Sequence, residues 1–219
     1  MPIAPPIRSG PLKGHRWIAA AGVRFLRGDY ETAQVEAVLG VIREGDIVYD
    51  IGAHLGYYTM LASQAVGPSG RVFAFEPRPV NVLCLRRHLR LNRCDNVEIL
   101  QVCVGDRSGG ARFDTRCGTG RGRLSADGNL LVETVTLDEL VVSGRLPPPS
   151  FIKIDVEGAE KLVLAGAAEV IRRHRPAFAV STHSEDLRRQ CADILSDHGY
   201  RLPPVGGSRD ESELLALPE

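Results

Sequence analysis

Four ionisable residues close or follow short apolar runs in this 219-residue chain: Asp50, Glu76, Asp155 and His183. The carboxyl ends of buried strands are where an α/β protein presents groups to a ligand. Asp50 leads into Ile51-Gly52-Ala53-His54-Leu55-Gly56. Glycine has no Cβ and tolerates positive φ, so the chain can turn there and bring its backbone close to a bound molecule. The spacing is G-x-x-x-G, not the G-x-G-x-x-G that seats a pyrophosphate on a helix N-terminus. A cofactor without phosphates fits better, and S-adenosylmethionine is the leading candidate. Glu76 falls 20 residues beyond Gly56, where a carboxylate can accept hydrogen bonds from both hydroxyls of a ribose. Asp50 would pair with the cationic methionyl amine, directly or through water, and His54 would line the same turn.

The second dense signal is Phe151-Ile152-Lys153-Ile154-Asp155-Val156-Glu157-Gly158-Ala159-Glu160. Strand alternation puts Lys153 and Asp155 on one face, opposite Ile152 and Ile154. A lysine inside a buried strand must be paired or functional, because an uncompensated charge there is costly. Asp155 and Glu157 emerge at the ligand end of the strand; their structural alternative is helix capping and dipole complementation. Glu160, further into the expected helix, reads as structural. His183 lies at the end of the next strand, where an imidazole can take a hydroxyl proton. Asp155, Glu157, His183 and Lys153 are therefore the candidate catalytic residues. Carboxylate and imidazole together also suit a divalent ion, but sequence spacing alone does not make a ligand cluster, and no metal is expected. Val104-Gly105-Asp106 would flank an adenine, with Val104 on the ring and Asp106 accepting from the amino group. A plain Gly-Asp turn is the alternative there.

These groups need a scaffold, and the chain supplies an alternating one. Strands are expected at 47–51, 71–75, 97–102, 151–154 and 177–180, with helices over about 30–42, over 57–66, and after the second, fourth and fifth strands. Glycine-rich residues 105–135 break the rhythm and read as an insertion of loops and hairpin strands beside the site. Residues 201–202 and 214–216 read as a closing hairpin. The alternation predicts a doubly wound, mostly parallel α/β sheet. Residues 1–30 read as an arm and 31–219 as one domain. The arm, with Trp17 and its prolines, is expected either to close the site or to meet a second subunit in a homo-oligomer.

Lys plus Arg and Asp plus Glu both number 27, leaving no net charge. That lacks the broad basic footprint of a nucleic-acid binder. No apolar run approaches the roughly 18 residues of a spanning helix, and no secretory signal is visible. Five cysteines without a C-x-x-C pair read as reduced structural thiols, and a cytoplasmic, soluble protein is expected.

With these motifs in place, the chain resembles the FkbM-type methyltransferases. The similarity runs through residues 46–58, 67–77, 96–106 and 151–160, and the 152–160 run is its most family-specific part. Gly28-Asp29-Tyr30-Glu31 and Gly199-Tyr200 resemble the family's flanking motifs. The resemblance implies a Rossmann-like class I methyltransferase fold. It implies Asp50, Gly52, Gly56 and Glu76 as cofactor residues, and methyl transfer to a hydroxyl of a sugar, polyketide or other secondary metabolite. The chain departs from the family pattern at His54, commonly Asn, and at Ser181-Thr182-His183, where many members carry Glu. Three rivals remain at this level: N-methylation of a peptide or amine, a nicotinamide-dependent oxidoreductase, and a non-catalytic binding module.

Overall fold

The computed structural model describes residues 3–116, 118, 122–206 and 212–219. Cys117 and Gly120 lie outside the described residues; the other four cysteines are free thiols. The chain runs α1 (Thr32–Val41), β1 (Ile47–Ile51), α2 (Tyr57–Val66), β2 (Arg71–Phe75), α3 (Pro79–Asn92) and β3 (Val97–Leu100). Then come β4 (Cys103–Val104), β5 (Gly109–Asp114), β6 (Arg123–Leu124), β7 (Leu130–Val135) and α4 (Leu137–Val142). The remainder is β8 (Phe151–Ile154), α5 (Glu160–Ala165), α6 (Ala168–His174), β9 (Ala177–Ser181), α7 (Glu185–Asp197), β10 (Tyr200–Arg201) and β11 (Glu213–Pro218). Local chemistry fixes several boundaries. Pro79 opens α3, where its missing N–H costs nothing, and the Ser184 hydroxyl caps α7 by accepting from Leu187 N.

Seven strands form one sheet in the order β10-β11-β9-β8-β1-β2-β3. β3, β2, β1, β8 and β9 are parallel, whereas β11 lies antiparallel to both β9 and β10. The closing hairpin therefore inserts its second strand inside its first. After β1 the chain winds outward through β2 and β3, then returns to β1's other side as β8. That reversal opens a crevice at the carboxyl ends of β1 and β8. A second sheet, β4-β7-β5-β6, is built from the glycine-rich region.

Side-chain alternation sorts the main sheet's two faces. Tyr49, Ile51, Ile152, Ile154, Phe178 and Val180 pack on one side with Val163, Leu164, Ile171, Cys191 and Leu195 of α5–α7. Val48, Phe151 and Ala179 face the other side, against Val38 of α1, Ile42 just after it, and Ala62 and Val66 of α2.

Two expected elements come out differently. β3 stops at Leu100, because Cys103 and Val104 pair with β7 in the second sheet. The helix after β8 is broken into α5 and α6 at Gly166, where a Cβ would stand 2.0 Å from Gly105 O. Residues 3–30 do not project from the molecule. Trp17 is fully buried and stacks on His88 with ring centroids 3.9 Å apart. His88 accepts from Ile18 N at 3.0 Å and donates to Leu55 O at 2.7 Å, tying the arm to α3 and to the glycine turn. Trp17 is thus spent on this chain's own core. No helix among the described residues is long and apolar enough to cross a membrane.

Candidate active site

A cavity of about 580 Å³ opens at the carboxyl ends of β1, β2, β8 and β9. Gly52, His54, Glu76, Val104, Asp155, Glu157 and His183 all line it. Asp50 and Lys153 sit behind this wall and line a small adjoining pocket. Gly56, Gly105 and Asp106 do not line the cavity. Asp106 is exposed, turned away because Gly105 N is held by Val135 O; here the plain turn accounts for it.

The two glycines of the turn serve the protein's own packing. A Cβ on Gly52 would stand 1.8 Å from Asp155 O, so the glycine lets the β1 and β8 turns nest together. On Gly56 it would stand 2.4 Å from Leu85 Cδ1. Both hold φ near +90°, at +86° and +95°, a region that L side chains resist.

Glu76 is buried at the end of β2. Its Oε2 accepts from His54 N at 2.8 Å, and its Oε1 accepts from Arg78 N at 2.9 Å and Asn81 Nδ2 at 3.2 Å. A carboxylate offers about four acceptor positions, so Oε2 retains capacity for a hydroxyl. Burial pushes its pKa up to about 7 despite these donors. His54 is driven the other way, to about 4, chiefly by burial, and is neutral near pH 7. Its Nε2 is buried with no protein partner among the described residues.

Asp50 and Lys153 face each other across β1 and β8 in register. Asp50 also accepts from Thr59 Oγ1 at 2.5 Å. Burial raises its pKa, and Lys153 opposes that. For Lys153 burial works against the charge, but Asp155 and Asp50 outweigh it and the pKa is raised. Its Nζ lies 3.3 Å from Asp155 Oδ2 and 4.3 Å from the Tyr58 ring centre. This buried lysine is fully paired.

The 151–160 run turns before it coils. Glu157 (φ +54°) and Gly158 (φ +103°) are both left-handed, so α5 starts only at Glu160. That residue is fully buried and aims Oε1 at His183 Nδ1, 2.8 Å away. On the other side of the ring, Nε2 lies 3.4 Å from Glu157 Oε2 and 3.7 Å from Asp155 Oδ1. The Glu160 hydrogen bond, against burial and with help from Glu157 and Asp155, holds the imidazole's pKa up at about 9. Asp155, Glu157 and His183 therefore meet on one wall of the cavity.

Sequence reasoning passed over Glu160 because it places that residue inside the helix, not at its first turn. It also left unassigned Arg24, Tyr30 and Glu31, which bring the N-terminal arm into the cavity wall. The guanidinium of Arg24 lies over the Phe25 and Tyr30 rings at 4.9 and 4.7 Å. The nearest sequence signal is Gly28-Asp29-Tyr30-Glu31, whose glycine turn ends the arm. Glu31, His54 and Glu157 are all non-glycine residues at positive φ, and all three line this cavity. Each such conformation costs about 1–3 kcal/mol and persists where the surroundings enforce it, often at working sites.

Comparison with known proteins decides the family. The model of the methyltransferase FkbM domain matches residues 50–202, which hold the turn, Glu76 and the 151–160 run. The chain belongs to the FkbM methyltransferase family. Similar proteins include the hexuronic acid methyltransferase AglP of Haloferax volcanii, 30% identical over 88% of this chain and 78% of that protein. Another is the 31-O-demethyl-FK506 methyltransferase FkbM of Streptomyces tacrolimicus, 28% identical over 84% of each chain. The crystal structure of a methyltransferase FkbM from Methylobacillus flagellatus shares the fold, with a TM-score of 0.58 and 23% identity over 78% of this chain. This chain spans 43% of that solved chain.

This chain is thus an S-adenosylmethionine-dependent methyltransferase of the class I fold, which removes the oxidoreductase reading. Its cavity fits that cofactor on its own evidence of chemistry. Glu76 retains an acceptor position for a ribose hydroxyl, and the unpartnered His54 Nε2 awaits a polar contact. Glu31, Glu76, Asp155, Glu157 and Glu213 outnumber Arg24 and Arg78 on the wall, an acidic balance that suits a sulfonium cation.

Proposed function

We propose that this chain methylates a hydroxyl group of a sugar or a related polyhydroxylated metabolite, held against Asp155, Glu157 and His183. The convergence of those three side chains on the cavity wall carries the reading. Glu76 and the 52–54 turn would hold the ribose, Val104 would pack on the adenine, and Asp50 would serve the methionyl end through the Asp155 side. The cofactor supplies an electrophilic methyl group on a sulfonium. The protein's share is to hold the acceptor oxygen in line at close range and to receive the proton that oxygen loses. The carboxylates of the wall are placed for that second task, and the His183 imidazole, whose pKa is held up at about 9, stands protonated between them and positions them. Acidic and imidazole groups also hydrogen-bond hydroxyls well, and the relatives named for a hexuronic acid and for 31-O-demethyl-FK506 fit the same acceptor chemistry.

The test is a panel of hydroxylated acceptors, free sugars and uronic acids included, read by mass spectrometry for one added methyl group. His183→Ala should lower kcat by about a hundredfold or more, the usual span for lost acid–base assistance, while cofactor affinity changes little. Full turnover in that variant would remove the wall from the chemistry. Methylation confined to amine acceptors would overturn the hydroxyl assignment.

A further inference from the structure

The spacing on the Nε2 side of His183 is not that of an ordinary hydrogen-bonded ion pair. Glu160 can only accept when ionised, so the Nδ1 side of the ring carries the proton and the Nε2 side is turned to Glu157 and Asp155. A charge-assisted N–H···O bond from Nε2 would measure roughly 2.7–2.9 Å. The observed separations are 3.4 and 3.7 Å, both too long. They match instead the distance between two ligands of one ion. For ligands about 2.1 Å from a common centre, those separations correspond to angles of about 108° and about 124°. One ligand atom from each of Asp155, Glu157 and His183 lies within 4.8 Å of the other two.

Two further observations favour a cation there. Glu160 is fully buried, and its Oε2 has no protein partner among the described residues. Its Oε1 accepts from Gly158 N at 3.0 Å and faces His183 Nδ1 at 2.8 Å, and Lys153 is engaged by Asp155 and Asp50. The arrangement, a buried carboxylate bonded to the far nitrogen of a ligating histidine, is also the usual outer support of a metal-bound imidazole. It fixes the tautomer and the ring's orientation.

We propose that Asp155, Glu157 and His183 form a binding site for a divalent transition-metal cation of the manganese–zinc class, with Glu160 as its outer support. One imidazole with two carboxylates is a donor set that suits such ions. The inference rests on the reading that the cavity serves hydroxyl methylation, and it adds a positive charge beside an oxygen about to lose its proton. The three side chains leave coordination positions open toward the cavity for an acceptor hydroxyl. With the ion in place His183 is a ligand, and the hydroxyl's proton passes to a carboxylate oxygen of Asp155 or Glu157 that is not bound to the ion.

The experiment titrates EDTA-stripped protein with Mn²⁺ and follows loss of the free-ion EPR signal, with Zn²⁺ as competitor. One saturable, Zn²⁺-displaceable ion per chain is expected. His183→Ala and Glu157→Gln should each weaken it at least tenfold, and Glu160→Gln should weaken it by about 10–100-fold through the outer shell. Circular dichroism and calorimetric S-adenosylmethionine binding on the same variants establish that they remain folded. Absence of saturable binding by either ion, or binding unchanged in both His183→Ala and Glu157→Gln, overturns the site. Hydroxyl methylation by stripped protein that binds no ion would overturn the site and leave the proposed function standing. Ion binding without methylation of any hydroxyl would leave the site standing and count against the function.

Discussion

Glu76 is the carboxylate whose titration the cofactor should feel. Its pKa of about 7 in the fold exceeds the ordinary 4.5. Between those values the folded chain binds a proton that the unfolded chain has lost, so the apo fold loses stability as pH rises from about 4.5 to about 7. A ribose hydroxyl bonds the ionised form better, so binding should pull that pKa down. Cofactor affinity measured by calorimetry should therefore rise with pH across about 6 to 8. Glu76→Gln should flatten this rise and weaken binding; an unchanged slope would assign the titration to another group. Most site residues were legible one by one, because Asp50, Glu76, Asp155 and His183 sit at strand ends, and strand ends can be read from apolar runs. Glu160 was not legible, since its value depends on two left-handed residues that delay the helix. Asp106 was misplaced because its turn is set by a bond to Val135, on another strand.

At the scale of elements, the β1–α2 turn and the β8–α5 turn are one packed unit. Gly52 makes them so, and its Cβ would collide with a backbone carbonyl that cannot swing away. Gly56 meets only the end of a leucine side chain. Both substitutions to alanine carry the roughly 1–2 kcal/mol of a left-handed non-glycine residue. Gly52→Ala adds a backbone clash, so its loss should reach about 3 kcal/mol or more and exceed that of Gly56→Ala. Denaturant midpoints of the two variants check the order, and equal losses would refute the nesting. The parallel strands followed from their apolar runs, because β1, β2, β8 and β9 are buried on both faces and only the edge strand β3 is half-exposed. The break between α5 and α6 could not be read, because the Gly105 carbonyl that enforces it arrives from a distant segment. The glycine-rich region announced hairpins without revealing that they assemble into a second sheet.

At the scale of the whole molecule, the N-terminal arm belongs to the same core as α2 and α3. Ile7, Leu12, Trp17 and Phe25 are buried with Tyr57, Met60, Leu61, Leu85 and Leu89, and the arm then passes Arg24, Tyr30 and Glu31 into the cavity wall. Trp17→Ala should cost about 3–5 kcal/mol, as large aromatic truncations in a core do. Because the arm forms part of the wall, cofactor affinity should fall as well; thermal unfolding with and without S-adenosylmethionine measures both effects. A variant that loses less than about 1 kcal/mol would show the arm to be a loose appendage. The amino-acid sequence by itself determined the sheet's parallel strands, the glycine turn between β1 and α2 and the family, since each is written in short contiguous stretches. Only the tertiary structure decided which groups share a wall. The distances joining Glu160 to His183, and His183 to Asp155 and Glu157, are set by how separate strands, turns and helices pack, and local spacing carries no record of that packing.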